Sequence, residues 1–310
     1  MRLAFVGTPE VAAPSLEALA SSRHEVVLAI TRPDARQGRG RAIAPSPVAG
    51  CAERLGIRVL KPATLRDPEV STRLSDAGVE CCPVVAYGGL IPPSLLDLIP
   101  HGWVNLHFSL LPAWRGAAPV QHALLAGDTV TGASVFQLDE GLDTGPVFGT
   151  VTQDIGLDDT AGSLLDRLST SGAALLVATL DGIEQGTLVP HAQPSEGVSF
   201  APKLTVDDAR VRWVDPGLAI SRRIRACTPA PGAWTEVGGT RVGVLPLPDA
   251  SGPPESTLAP GEVRVGKRDV WVGTGSYDVR LGDVRPAGKR AMPAADWARG
   301  ARLADGALLT

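Results

Sequence analysis

The sequence predicts an α/β protein in two parts, a mainly parallel, Rossmann-like sheet followed by a smaller unit of short antiparallel strands. Three observations carry this expectation. Continuous apolar runs alternate with amphipathic segments through the first two thirds of the chain, and short glycine-bounded alternating runs fill the last third. The charge also changes sign between them: residues 1–203 carry 14 Lys and Arg against 21 Asp and Glu, residues 204–310 carry 15 against 12, so the formal −4 divides into −7 and +3. A chain of 310 residues, 44% hydrophobic and 20% charged, is long enough for two cores.

In order, "LAFVG" (3–7) reads as a strand, "APSLEALASS" (13–22) as a helix with Pro14 near its start, and "HEVVLAITR" (24–32) as a second strand. The polar stretch "RPDARQGRGRAIAPSP" (32–47) reads as a long loop, and "SPVAGCAERLG" (46–56) as a helix closed by Gly56. "IRVL", a charged segment through Asp76, "VECCPVVAYGG" and "GWVNLHFSL" follow, with a further strand in "TGASVFQLDEGLDTGPV" (131–147). Strands of continuous apolar character imply a sheet covered on both faces, with its chemistry beyond the carboxyl ends of the strands. "GTPEVA" after the first strand is not G-x-G-x-x-G, which removes the usual support for a nicotinamide dehydrogenase. Beyond a linker at 191–204, "DDARVRW" and "AISRRIRAC" look helical. "AWTEVGGTRVGVLPL", "GEVRVGKRDVWVGTGSYDVRLGDVRP" and the final segment supply short strands, with a hairpin at "EVGGTRV". The expected division is 1–190, 191–204 and 205–310.

Cys51, Cys81, Cys82 and Cys227 have neither zinc-ligand spacing nor a disulfide pattern, so no metal is expected, and the adjacent pair reads as core. "MRLAFVG" lacks the features of a signal peptide and no run approaches the length of a membrane span. A cytoplasmic protein with no membrane partner is expected, and nothing demands more than a monomer.

Asn105 and His107 project from one face at the end of a strand, because side chains alternate with period two. A lone histidine in an apolar strand is most often a satisfied core residue. Here an amide stands two positions away, and a later loop places Asp139, Glu140 and Asp143 among glycines, the composition of a binding loop. Asn, His and Asp suit acyl transfer to an amine without a covalent enzyme intermediate. An amide donates to the oxyanion of a tetrahedral intermediate, an imidazolium stabilises the same charge or protonates the leaving nitrogen, and a nearby carboxylate raises the imidazole pKa. Ser109 has no G-x-S-x-G elbow around it, which weakens a hydrolase reading.

"NLHFSLLPAWRGAAPVQHALLAGD" followed by "GLDTGPV" closely resembles the methionyl-tRNA formyltransferases, within the larger family that transfers a formyl group from 10-formyltetrahydrofolate to an amine. The likeness extends through "FVGTPEVAAPSLEAL", "TRPDARQGRGRAIAPSPV", "VVAYGGLIP", "IRACTPAPGAW" and "PAGKRAMPAADWARGAR", essentially the whole chain. It implies that Asn105, His107 and Asp143 are catalytic. Ser109, Leu110, Leu111 and Pro112 would line the folate site, and Ala86 to Ile91 (with Tyr87, Gly88, Gly89 and Leu90) would offer backbone groups to the pteridine. It also implies an OB-like fold for the second unit. Initiator methionyl-tRNA is the implied partner, tetrahydrofolate the product of the consumed cosubstrate.

Arg36, Arg39 and Arg41 lie between glycines in an otherwise acidic unit, a pattern suited to phosphate contact, and the resemblance matches Arg39 to the key arginine of a Gly-Arg-Gly. Arg222, Arg223 and Arg225, with Lys267, Arg268, Lys289 and Arg290, could track a tRNA backbone. A formyltransferase acting on a sugar nucleotide or glycinamide ribotide would share the Asn-His-Asp set without needing these cations. A non-catalytic RNA-binding module would need the second unit alone.

Overall fold

The computed structural model describes residues 1–37, 42–248 and 257–310. They fall into two units. One comprises Met1–Pro119, Val130–Asp154 and Leu165–Ala201, the other Val120–Thr129, Ile155–Leu164 and Pro202–Thr310. Among the described residues no helix is long and apolar enough to cross a membrane.

Through the first 184 residues the elements are β1 (Arg2–Gly7), α1 (Ala13–Ala20), β2 (Glu25–Ile30), β3 (Ala35–Gln37), β4 (Ala42–Ala44), α2 (Pro47–Arg54), β5 (Val59–Leu60), α3 (Pro68–Asp76), β6 (Cys82–Val85), α4 (Pro93–Leu96), β7 (Trp103–His107), α5 (Pro119–Ala126), β8 (Val130–Gln137), β9 (Val147–Asp154) and α6 (Ala161–Glu184). The main sheet runs β5-β2-β1-β6-β7-β8-β9, parallel from β5 to β7 and antiparallel at β8 and β9. The chain leaves β1 for β2 and β5 on one side and returns to β6 and β7 on the other. The carboxyl ends of β1 and β6 therefore flank the point where strand order reverses, which is where open α/β sheets bind ligands. Gly7 allows these two strands to meet closely, since a Cβ there would sit 2.8 Å from the Val85 carbonyl oxygen.

The strands are buried on both faces because their residues are apolar throughout. Ala4, Val6, Val84 and Trp103 pack with Val70, Leu74 and Leu95 from α3 and α4. On the opposite face Leu106 meets α6 at Gly172, where a Cβ would come within 3.0 Å of it. The Trp103 indole is fully buried and donates to the Leu95 carbonyl at 2.7 Å. Cys81 and Cys82 are buried free thiols, and burial pushes Cys81 up to about 12, which leaves it chemically inert.

Helix α2 begins at Ser46, whose hydroxyl accepts from the Ala49 N–H at 3.0 Å and pairs with the buried Thr31 hydroxyl at 2.6 Å. Replacing Ser46 by alanine strips both groups of a partner. We expect a loss of about 1–2 kcal/mol, read as a lower urea midpoint at unchanged slope.

The structure fills in or corrects local expectations in both units. The charged segment ending at Asp76 contains α3, capped by Asp67, whose carboxylate accepts from the Glu69 N–H at 3.0 Å; with only Val70 and Leu74 buried, its apolar stripe is too thin to be conspicuous. The 32–47 stretch is not simply a loop, because its arms pair as the antiparallel ribbon β3–β4 with Ala35 opposite Ala44. "DDARVRW" forms no helix: the chain turns over 206–209 and then runs beside Trp234 at Arg210. Ala209, Val211 and Trp213 are buried while Arg210 and Arg212 are exposed, and the Trp234 backbone pairs with Ala209 and Val211 at 3.1 and 2.8 Å.

The second unit continues with α7 (Gly217–Ala226), β10 (Trp234–Val237), β11 (Thr240–Val244), β12 (Val263–Val265), β13 (Val270–Val272), β14 (Val279–Leu281), β15 (Asp283–Pro286), β16 (Met292–Pro293) and α8 (Ala294–Ala301). The antiparallel β architecture is as expected, divided into sheets β10-β11-β15-β16 and β12-β13-β14 around one core that includes Trp213, Ile220, Val263, Val270 and Trp297. The β10–β11 hairpin turns on Gly238 and Gly239, both with positive φ (53° and 74°), as a two-residue loop of this kind requires. The final segment, expected as strand, holds β16 and antiparallel bridges at Leu308 and Leu309, but it also carries α8, since Ala294, Ala295, Trp297 and Ala298 form one buried helical stripe.

Candidate active site

Strand β7 sets the first two candidate groups. Asn105 pairs in register with Val84 and Phe136, and His107 with Ser134. Both side chains share the face that carries Trp103. Asn105 is half-buried, and among the described residues no partner engages its amide. The backbone then turns sharply. The Ser134 hydroxyl donates to the Ser109 carbonyl at 2.7 Å and accepts from the Leu111 N–H at 3.0 Å, while the Ser109 hydroxyl donates to the Ala113 carbonyl at 2.6 Å. This turn brings the Trp114 carbonyl to 2.9 Å from His107 Nε2. A carbonyl only accepts, so Nε2 carries the proton and Nδ1 presents a lone pair.

Asp143 arrives from the loop between β8 and β9. Its Oδ2 accepts from the Gly116 N–H at 2.7 Å and faces His107 Nδ1 at 3.7 Å. That separation exceeds a hydrogen bond, so the carboxylate acts on the ring through its charge without closing off Nδ1. Asp143 has a positive φ of 52°, a conformation that surrounding contacts must enforce on a residue with a side chain. The Gln193 amide supplies two of them, donating to the carbonyls of Asp143 and Gly145, each at 2.8 Å. Asp139 does something different. Its carboxylate accepts from the Gly141 N–H and the Thr144 hydroxyl, folding the loop on itself, while Glu140 is exposed. Of the three acids singled out in this loop, Asp143 is the one paired with His107.

Burial pulls the His107 pKa below its ordinary 6.5, outweighing the Asp143 carboxylate and the Trp114 carbonyl, which both raise it. That direction favours the neutral ring at rest. The ring also stands edge-on to Phe136, with centroids 6.4 Å apart, which adds to its apolar surroundings.

The turn that follows β6 leaves the sheet beside the turn that follows β7, because β6 and β7 are parallel neighbours. Thr8 ties it to the end of β1 by donating to the Tyr87 carbonyl at 2.9 Å. The residues expected around a folate divide into two kinds. Tyr87, Ser109 and Pro112 are buried. Gly88, Gly89 and Leu90 are exposed, with Leu90 at 88%, and Ile91, Leu110 and Leu111 are half-buried. Gly89 passes over the Tyr87 ring, where a Cβ would sit 2.7 Å from Cε1.

The cationic candidates are placed less completely. Arg39 and Arg41 lie outside the described residues, and Arg36 contributes its backbone to β3. On α7 the guanidinium groups are half-buried and tied within the second unit: Arg222 donates to the Ala126 carbonyl at 3.3 Å, Arg223 to that of Asp208 at 2.7 Å, and Arg225 to that of Asp159 at 2.9 Å. Arg223 also pairs with Asp215 at 3.6 Å. A free cationic surface on α7, as the sequence suggested, is therefore reduced. Lys267, Arg268, Lys289 and Arg290 are exposed.

Sequence reasoning missed the Trp114 carbonyl, the Gly116 N–H, Arg115 and Gln193. Backbone groups carry no residue-type signal, and Gln193 lies in a stretch whose composition reads only as linker. A further group of potential metal ligands, His24 with Asp181 and Glu184, lies outside this site. Arg23 already reaches both carboxylates, at 3.5 and 2.5 Å, so the cluster has the electrostatics of a structural ion-pair network.

Comparison with known proteins shows the family to which the chain belongs. The formyl transferase family model matches residues 1–180, and the formyl transferase C-terminal domain model matches residues 203–302. The methionyl-tRNA formyltransferase of Thermobifida fusca (strain YX) is 61% identical over 309 residues, covering 99% of this chain and 98% of the relative. That of Salinispora tropica is 59% identical over 309 residues, covering 100% of both. Among solved structures, the N-formyltransferase from Helicobacter canadensis in complex with folinic acid and dTDP-3-aminofucose superposes with a TM-score of 0.66 at 15% identity, covering 90% of this chain and 98% of that one, a likeness of fold. With identity near 60% along its full length, the chain belongs to the formyl transferase family, among the methionyl-tRNA formyltransferases.

Proposed function

We propose that this protein transfers the formyl group of 10-formyltetrahydrofolate to the amino group of methionyl-tRNA, producing the formylated initiator used to begin translation. The pairing of His107 with Asp143 at the carboxyl end of β7, beside Asn105, is the observation that carries the reading. Residues 1–190 hold the chemistry and residues 205–310 assist in holding the tRNA, with 191–204 between them.

The neutral amine attacks the formyl carbon, and the Asn105 amide donates to the oxygen as it gains charge. His107 Nδ1, neutral at rest, accepts a proton from the nitrogen that has become cationic. The resulting imidazolium is held between the Asp143 carboxylate and the Trp114 carbonyl, both acceptors, which is the protonation state that satisfies the two ring nitrogens together. It returns the proton to N10 of the folate as the C–N10 bond breaks and the carbonyl reforms. The exposed Leu90 and half-buried Ile91, Leu110 and Leu111 supply apolar surface for the folate ring, with backbone groups from Ala86 to Gly89 beside it. Arg36, Arg39 and Arg41 contact the tRNA acceptor end, with Arg222 and Arg223 adding charge where their carbonyl contacts permit.

A radiolabelled formyl-transfer assay on initiator methionyl-tRNA, elongator methionyl-tRNA and an amino-sugar nucleotide tests this. Rapid transfer to the initiator alone is expected, and transfer to the sugar nucleotide in its place would overturn the reading. Arg39→Ala should lower kcat/KM for the charged initiator by roughly tenfold while KM for the folate stays the same.

A further inference from the structure

We propose that Gln193 is a positioning residue of the transfer site: bridging Arg115 to the Asp143 loop, it holds the carboxylate at the distance from His107 that the reaction uses. This rests on the catalytic reading of His107 and Asp143 given above.

The Gln193 amide is saturated. Its Nε2 donates to the carbonyls of Asp143 and Gly145, each at 2.8 Å, and its Oε1 accepts from Arg115 Nε and Nη2 at 3.1 and 2.6 Å. An amide offers two donor hydrogens and two lone pairs, so every hydrogen-bonding position is spent on these contacts. The two loops it joins are the ones that hold the His107 ring. Arg115 stands between Trp114, whose carbonyl meets His107 Nε2, and Gly116, whose N–H meets Asp143 Oδ2. A closed ring of contacts therefore runs from His107 through Trp114, Arg115, Gln193 and Asp143 back to His107.

The segment carrying Gln193 is itself fastened to this unit. The Trp114 N–H donates to the Ser199 hydroxyl at 2.9 Å, and the backbones of Arg115 and Ala201 bond at 2.7 Å. Asp143 needs such support because its backbone is left-handed, at φ 52°, with a side chain present. A stretch that reads as connecting chain thus closes the site, and loosening it lets the carboxylate drift from a ring whose other neighbours are Phe136 and the Trp114 carbonyl. Asp143 is the charged group acting on that ring, so its drift changes how readily the ring takes a proton.

The test uses the full chain, charged initiator tRNA and 10-formyltetrahydrofolate in single-turnover assays. Gln193→Ala should lower the transfer rate roughly ten- to hundredfold with KM for both substrates changed less than about twofold, and move the acid limb of the pH profile to lower pH. Gln193→Glu keeps the size and the Arg115 partner but removes both donors, and should behave alike if the alanine variant folds poorly. In an Asp143→Asn background the same replacements should change the rate by less than about twofold, because the group they position is gone. Equal losses in both backgrounds, or rates within about twofold of the parent, overturn the proposal. A parental rate in Asp143→Asn alone removes the catalytic reading itself, and this inference with it, which separates the two failures.

Discussion

Replacing His107 by alanine is expected to slow formyl transfer by roughly 10²–10⁴-fold at neutral pH while tRNA binding persists, the range lost when a placed acid–base group is removed. The side chain is buried, so its removal leaves a space that water fills poorly as a proton carrier, while Asp143 keeps its bond from the Gly116 N–H. The sign of the pH dependence follows from the direction of its pKa. Burial holds the pKa below 6.5, so the ring is neutral and competent as a base at pH 7, and the rate should fall only as pH drops through that depressed value. Asp143→Asn removes an influence that raises the pKa, so the acid limb should move lower still and the rate at pH 7 should drop, the ring having become a weaker base. Single-turnover profiles from pH 5 to 8 read both effects. An acid limb above 6.5 in the parent, or a His107→Ala rate within about threefold of it, would be incompatible with this role.

Gly145→Ala should abolish most activity from a position that carries no chemistry. A Cβ there runs into the Gln137 carbonyl oxygen at the end of β8, and a strand backbone cannot yield as a side-chain tip can. The loop must shift instead, carrying Asp143 two residues away and disturbing the carbonyl that Gln193 engages. Displacement by about 1 Å at a reacting group costs roughly 10²-fold in rate, and the clash should cost about 1–3 kcal/mol of stability. Gly50→Ala, in α2 with nothing within 4 Å of the added Cβ, is the matching control and should be neutral or slightly stabilising. Transfer rates and urea midpoints measured on both variants decide the matter, and a Gly145→Ala enzyme with a near-parental rate would show the loop to be far more pliant than its contacts imply.

Much of the site was legible because strands write their geometry into sequence with period two. Asn105 and His107 share a face for that reason, and composition flagged the glycine-rich loop holding Asp139, Glu140 and Asp143, from which the resemblance singled out Asp143. The same periodicity was available in "ARVRW", where the apolar positions Ala209, Val211 and Trp213 alternate with arginines, although the segment reads as helical. The pairing of Ala209 and Val211 with Trp234 overrides that local preference. The arginines of α7 show the opposite case: a cluster that reads as free charge is half-buried and spent on backbone carbonyls.

By itself the sequence determined the architecture of both units, because hydrophobic periodicity and residue type are properties of neighbouring positions along a chain, and the resemblance of its motifs pointed to the family and to the side chains suited to formyl transfer. Tertiary structure decided the rest. It brought Asp143 to 3.7 Å from His107, lowered the ring's pKa by burial where the carboxylate alone would raise it, and turned Gln193 from connecting chain into a brace. Distance, desolvation and the satisfaction of backbone carbonyls depend on which distant segments meet, and that is set only when the chain closes on itself.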